Sequence, residues 1–202
     1  MNWVLLVIIS FLCGSLPFSV WIGKLFLSVD VRKYGDGNPG AANVFRAGNK
    51  VAGLTALLLD VAKAAAPVGF SYYNLGIQGI PMYLIAIAPV LGHVFSPFLK
   101  FRGGKAIAVS LGVWIGLTIW KASLAGVAGT VIGIVLMTSS GWAVMLGMLA
   151  ILITLVIWIP DPLLFLVWAS QTLILMWTHR ADLRQWPQLR PWLIKQLSLI
   201  KK

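Results

Sequence analysis

The chain has 202 residues, 59% hydrophobic and only 10% charged, whereas a soluble globular domain carries about 25% charged residues. Sixteen Lys and Arg stand against five acidic residues, all of them Asp, for a net charge of +11 at pH 7. This excludes a domain with an ordinary polar surface and predicts a polytopic membrane protein, whose excess of positives reports orientation and anionic lipid before nucleic acid.

A membrane-crossing helix takes about 20 mostly apolar residues, and stretches at 3–27, 51–73, 79–99, 104–120, 122–139, 141–159 and 161–178 fit. Lipid offers the backbone no partner, and none of these stretches alternates as a barrel strand does. The expected fold class is therefore an all-α membrane protein, a bundle of about seven transmembrane helices. The opening residues carry no basic cluster, so no removable signal peptide is expected, and the single Cys13 allows no intrachain disulfide. In the first stretch Gly14 and Pro17 mark a kink. In the second, Asp60 and Lys63 share a helix face and read as a self-neutralising brace, with orientation of a loop group by Asp60 as the alternative. His93, in the third, reads as a hydrogen-bonded packing residue rather than a ligand, and Ser139-Ser140 as a turn.

Three polar segments lie between or just beyond these stretches. "YGDGNPGAANVFRAG", residues 34–48, combines glycine with Asn and Arg as an anion-binding loop requires, although plain turns look similar. "FLKFRGGKAIAV", residues 98–109, sets Gly103 and Gly104 before Lys105 and a new helix. Paired glycines can turn their N–H groups inward as a nest, and the lysine adds a mobile cation. A juxtamembrane turn explains the segment equally well, and it lacks the residues of a Walker A loop. In "THRADLRQW", residues 178–186, His179 suits an anion or a proton, but capping of helix carbonyls is the commoner use.

All but Lys63 and Lys121 of the sixteen positives flank these three segments. By the positive-inside rule that side is cytoplasmic, with the amino terminus outside and the carboxyl tail inside. Residues 1–180 read as one polytopic domain with cytoplasmic motif loops at 28–50 and 100–105. Residues 181–202 read as a basic interfacial tail, with Leu193, Ile194, Leu197 and Ile200 beside Lys195, Lys201 and Lys202. Two histidines, one cysteine and no Glu supply no zinc or di-iron ligand set, so neither metal nor cofactor is expected. Such parts bind anions well and move protons poorly, which suits a substrate already activated, such as an acyl phosphate.

With these segments read, the chain resembles the bacterial acyl-phosphate-dependent glycerol-3-phosphate acyltransferases of the PlsY type. Gly14-Ser15-Leu16-Pro17, Gly23-Lys24, Asp30, Arg32, "GDGNPGAANVFR", Asp60 with Lys63, "GHVFSPFLKFRGGKA" and "HRAD" follow that family's motif order from about residue 12 to 184. The resemblance implies a multi-pass protein of the bacterial inner membrane with its active site facing the cytoplasm. It implies acyl phosphate as donor and glycerol 3-phosphate, or a related polyol, as acceptor. Gly103, Gly104 and Lys105 would hold the donor phosphate, and Asn38, Asn43, Arg46, His179 and Arg180 would serve the acceptor. Asp36, Gly37, Gly40 and Asp182 complete the implied binding set, with Lys105, Arg46 and His179 as its catalytic members. A monomer with membrane lipids and anionic headgroups as neighbours, and no nucleic acid, is expected.

The chain also departs from that pattern. Asp36 stands where the family has Ser, Ala42 for Thr, Asp182 for Asn, Arg102 for Lys, and Ala106 for the last Gly of G-G-K-G. Two added carboxylates predict weak glycerol-3-phosphate binding or a less charged acceptor, unless Asp36 pairs with Arg46, or Asp182 with Arg180 or Arg184. The rival functions are an anion or lipid-headgroup transporter or binding protein built from the same basic loops, and a catalytically degenerate paralogue.

Overall fold

The structure is a computed structural model that describes residues 2–200, with side chains through residue 196. The expected tail residues Lys201 and Lys202, and the side chains of Leu197 and Ile200, lie outside what it describes. In chain order the α-helices are α1 (Trp3–Ser15), α2 (Phe18–Leu27), α3 (Ala41–Arg46), α4 (Lys50–Gly69), α5 (Gly79–Val94), α6 (Ile107–Thr118), α7 (Lys121–Leu136), α8 (Ser140–Trp158), α9 (Pro162–Thr178), α10 (Arg180–Leu183) and α11 (Pro191–Ile200). Among the described residues the only strand-like feature is an isolated bridge between Met137 and Leu189.

Trp3–Leu27, Lys50–Asn74, Gly79–Leu99 and Ser140–Trp158 are long and apolar enough to cross a membrane, while α6, α7 and α9 are apolar but shorter. The stretch expected at 104–120 becomes helical only at Ile107, because Ala106 before it adopts a left-handed conformation with φ 66°. Ile119, at φ 56°, ends the helix.

The chain forms two compact units, residues 1–120 and 121–202. In the first, α1 lies along α5 and α4 along α6. The α1–α5 backbones approach so closely that a Cβ at Gly14 would overlap Pro89 and one at Gly92 would overlap the Phe11 carbonyl, the packing that small residues permit in apolar bundles. Pro17 does more than kink the first stretch: the helix stops at Ser15 and restarts at Phe18. A proline without an N–H leaves upstream carbonyls unpaired. Here they are taken from outside, Ser15 O by Ser96 Oγ at 2.6 Å and Leu16 O by Lys63 Nζ at 2.7 Å.

In the second unit α7 and α8 pair as a hairpin and α9 packs on α8. The chain then returns across the α7–α8 turn. Trp142 Nε1 donates to Gln185 O at 2.7 Å, Thr138 N to Gln188 O at 3.0 Å, and Arg190 N to Leu136 O at 2.9 Å. Arg190 Nε also reaches Ile134 O at 2.9 Å, so a cation closes the carbonyl end of α7. Residues 185–190, within the expected interfacial tail, are thus bonded to the 134–142 hairpin end.

Candidate active site

Asp30 opens the first polar segment. Its carboxylate accepts the Arg32 N–H at 3.0 Å and the Arg32 guanidinium at 2.9 and 2.7 Å. This fork holds its carboxyl down at about 2, from an ordinary 3.8. The chain then turns through Gly37, whose φ of 75° favours glycine, and enters α3 at Gly40.

Asn43, on α3 and 1% exposed, organises this loop. Its amide donates to Asp36 Oδ1 at 3.1 Å and to Asn38 O at 2.9 Å, and its Oδ1 accepts Arg46 NH1 at 2.8 Å. Both of its donors and its oxygen are therefore engaged within the loop, so Asn43 aims Arg46.

The second segment meets this loop directly. Lys105 donates its main-chain N–H to Asn38 Oδ1 at 3.0 Å, and Lys105 Nζ lies 3.1 Å from Asp36 Oδ2. Arg46 NH1 lies 3.8 Å from Asp36 Oδ1. Asp36 thus stands between the two cations, as the Arg46 pairing alternative anticipated, with Lys105 the nearer of the two. Partial burial pushes the Asp36 carboxyl up, but the Lys105, Asn38 and Asn43 hydrogen bonds outweigh it and hold it below the usual carboxylate value.

At Gly103 and Gly104, where a nest and a plain turn are equal readings of the sequence, the main-chain N–H groups are engaged as in the turn. Gly103 N donates to Val94 O at 3.0 Å and Gly104 N to His93 O at 3.1 Å, so both N–H groups serve the turn itself. The reason is α5, whose last carbonyls lack helical partners and are answered by the glycines. A Cβ at Gly103 would overlap the His93 carbonyl oxygen.

His179, Arg180 and Asp182 belong to the second unit. His179 is fully buried, with Nδ1 2.9 Å from Leu175 O, so it caps α9 from inside the unit. Arg180 is exposed; its guanidinium donates to Trp177 O at 2.9 Å and lies 5.0 Å over the Trp177 ring. Asp182 Oδ2 accepts Ser140 Oγ at 2.8 Å, at the first residue of α8. A carboxylate is favoured at that positive helix end, a partner beyond the Arg180 and Arg184 alternatives that the sequence offered.

Beneath the glycine turn lies a network that joins the Asp60–Lys63 brace to His93, read from sequence as a hydrogen-bonded packing residue. Lys63 Nζ reaches Asp60 Oδ1 at 2.7 Å and His93 Nδ1 at 3.0 Å, and Ser19 Oγ donates to Asp60 Oδ2 at 2.6 Å. The available signal was the recurrence of lone polar residues in three apolar stretches.

The profile of the family described as Glycerol-3-phosphate acyltransferase matches residues 4–188. The chain belongs to this family. Glycerol-3-phosphate acyltransferase 1 of Thermotoga maritima is 36% identical over 196 residues, covering 90% of this chain and 96% of the relative. The glycerol-3-phosphate acyltransferase of Aromatoleum aromaticum is 46% identical over 122 residues, 60% of this chain and 61% of the relative. In the first relatives matched, the aligned stretch thus spans about three fifths of their own length. Crystal structures of PlsY (YgiH), an integral membrane glycerol 3-phosphate acyltransferase, have TM-scores of 0.81 in the glycerol 3-phosphate form and 0.79 in the lysophosphatidic acid form. Their identities to this acyltransferase-family chain are 27% and 25%, with 90% of each chain covered.

Proposed function

We propose that the protein is an integral membrane acyltransferase that moves a fatty acyl group from acyl phosphate to the hydroxyl of glycerol 3-phosphate, forming 1-acyl-glycerol 3-phosphate. The observation that carries this reading is the junction of the two polar loops, where Lys105 meets Asp36 and Asn38 beside Arg46. Two cations on facing loops suit two phosphorylated substrates brought side by side. The acceptor oxygen attacks the acyl carbon, the bond to the phosphate oxygen breaks, and the hydroxyl proton leaves with inorganic phosphate. Atoms and charge balance without a side-chain base. Lys105 offsets the charge growing on the departing phosphate, and Arg46 holds the acceptor phosphate; positioning and charge neutralisation supply the rate. Asn38, Gly37, Gly40, Gly103 and Gly104 shape the two loops, and Asn43 holds Arg46.

Asp36 bears on the acceptor. Its charge is shared between Lys105 and Arg46, which leaves one positive charge over. Glycerol 3-phosphate therefore stands as the acceptor, bound less tightly than by a loop with a neutral residue at position 36.

The orientation in this reading is seven spans in a bacterial inner membrane, amino terminus outside, with both motif loops and the tail in the cytoplasm and the protein monomeric. Three features support it: the positives flank the polar segments, the 34–48 and 98–109 segments meet, and the segment after α9 meets the α7–α8 turn. Exposed Trp192 and Ile194 beside Lys195 on α11 suit a helix lying on an anionic interface. Purified protein in detergent, given hexadecanoyl phosphate and radiolabelled glycerol 3-phosphate, is expected to yield labelled lysophosphatidate and equimolar phosphate. Absence of transfer together with anion flux in liposomes establishes the transporter instead.

A further inference from the structure

The buried network under the glycine turn has a chemical consequence. The side chains of Lys63 and Asp60 are 1% and 2% exposed and lie 2.7 Å apart. Lys63 Nζ is within hydrogen-bond distance of three acceptors: Asp60 Oδ1, Leu16 O and His93 Nδ1. An ammonium has three donors and no lone pair, so Nδ1 of His93 accepts. The imidazole is thereby the tautomer with its proton on Nε2. Ser19 holds the other Asp60 oxygen at 2.6 Å, so the orienting chain runs from Ser19 through Asp60 and Lys63 to the ring.

Gly104 stands against that Nε2. Its backbone is outside the left-handed region, so conformation alone does not call for glycine. Space does. A Cβ at position 104 would overlap His93 Nε2 and lie 3.3 Å from Asn38 Oδ1. Any side chain there would cover the His93 N–H. The same turn has no main-chain donors to spare: the N–H groups of Gly103, Gly104 and Lys105 go to Val94 O, His93 O and Asn38 Oδ1.

We propose that His93 is a further substrate-contacting residue, whose Nε2–H, fixed in direction by the Asp60–Lys63 pair and left uncovered by Gly104, donates a hydrogen bond to a phosphoryl oxygen of the acyl donor held at this turn. The proposal rests on the acyl-phosphate reading above and names the donor group that the glycines themselves do not supply. A neutral N–H of set direction stabilises phosphate charge without reorganising as the bond to the acyl carbon breaks.

The test uses the full chain in detergent with hexadecanoyl phosphate. His93→Phe keeps a ring and removes the N–H; Gly104→Ala keeps the N–H and covers it. A hydrogen bond to a charged group is worth about 10- to 100-fold in affinity. Each variant is expected to raise the donor KM by at least about tenfold while the glycerol-3-phosphate KM stays within about twofold. The double variant is expected to be no worse than the worse single one, since both remove the same contact. Donor KM unchanged in a monodisperse His93→Phe protein overturns the proposal, as does an equal rise in both KM values.

Should His93→Phe not fold, nitrogen-15 NMR of the histidine-labelled wild type decides, because the chain holds only two histidines. Saturation with dodecyl phosphate, which transfers nothing, is expected to move the His93 Nε2–H resonance downfield. A resonance that does not move overturns the contact. A wild type inert towards hexadecanoyl phosphate overturns the transferase reading alone, and the dodecyl phosphate titration then decides the His93 contact by itself.

Discussion

Asn38 accepts the main-chain N–H of Lys105 through its side-chain Oδ1, at 3.0 Å, across 67 positions of sequence. This one bond ties the tip of the first polar loop to the start of the helix that follows the glycine turn. Replacing Asn38 by Ala removes a neutral hydrogen bond, worth about 1 kcal/mol, and leaves a half-buried N–H to find water. Thermal unfolding in detergent is expected to shift down by that small amount. Transfer activity is expected to fall much further, because Lys105 loses its register against Arg46. A rate loss no larger than the stability loss accounts for would refute the positional role.

Asp36 is the departure with the most direct consequence. Its carboxylate lies 3.1 Å from Lys105 Nζ and is 43% exposed. A unit charge about 4 Å from a substrate phosphate costs about 4 kcal/mol at an effective dielectric of about 20. Solvent and the two cations reduce this to about 1 kcal/mol. Asp36→Ser is therefore expected to lower the glycerol-3-phosphate KM about fivefold. The pH dependence has a definite sign. The folded carboxyl titrates below its ordinary 3.8, so the stability it contributes is present above that value and lost as pH falls through the lower folded one. Acid unfolding curves of wild type and Asp36→Asn are expected to differ above pH of about 4 and converge below it.

The Asp60–Lys63 pair is buried on both sides. Removing one partner of such a pair strands a charge and costs about 3–5 kcal/mol. Asp60→Asn and Lys63→Met are each expected to lose that much in thermal or denaturant unfolding. The double variant Asp60→Asn with Lys63→Met is expected to recover only part of it, because Leu16 O and His93 Nδ1 still lose the Lys63 ammonium. Full recovery would show that these two acceptors do not depend on Lys63.

Ala106 holds φ 66° and ψ 14° at the head of α6. An alanine pays about 1–2 kcal/mol in that region. The family's glycine pays none there, but it has more freedom to lose on folding. Ala106→Gly is expected to stabilise by about 0.5–1 kcal/mol, read as a rise in the melting temperature. A fall would mean that the buried methyl outweighs the strain.

Topology is tested by thiol labelling in a Cys13→Ser background, since Cys13 is the sole cysteine. Lys33→Cys, Arg102→Cys and Arg184→Cys place thiols at exposed positions after the first, third and seventh apolar stretches. An impermeant maleimide applied to spheroplasts is expected to spare all three and to label Gln78→Cys. Labelling of any of the three from outside would reverse the orientation or change the number of spans.

Hydropathy, charge and motif order alone determined the helical class, the seven apolar stretches, the family and the segments that carry polar chemistry. These are local properties: a helix rises about 1.5 Å per residue and displays its face every 3.6 residues, so composition over one span reports on that span. Even the break in the first stretch was announced by Pro17, though its completeness depended on Ser96 and Lys63 taking the freed carbonyls. What only the tertiary structure decided is which donors and acceptors are already in use. The glycine N–H groups read equally as a nest or a turn because nothing in "RGGK" shows that α5 ends against them with Val94 and His93 carbonyls exposed. Asp36 and Asp182 read as surplus negative charge because their partners, Lys105 and Ser140, lie far off in sequence. His93 read as a hydrogen-bonded packing residue, but its partner, Lys63, stands a helix away and could not be named from sequence. Hydrogen bonds are short and saturable, so a polar group's role depends on the one neighbour that satisfies it, and that neighbour is chosen by the packing of the chain.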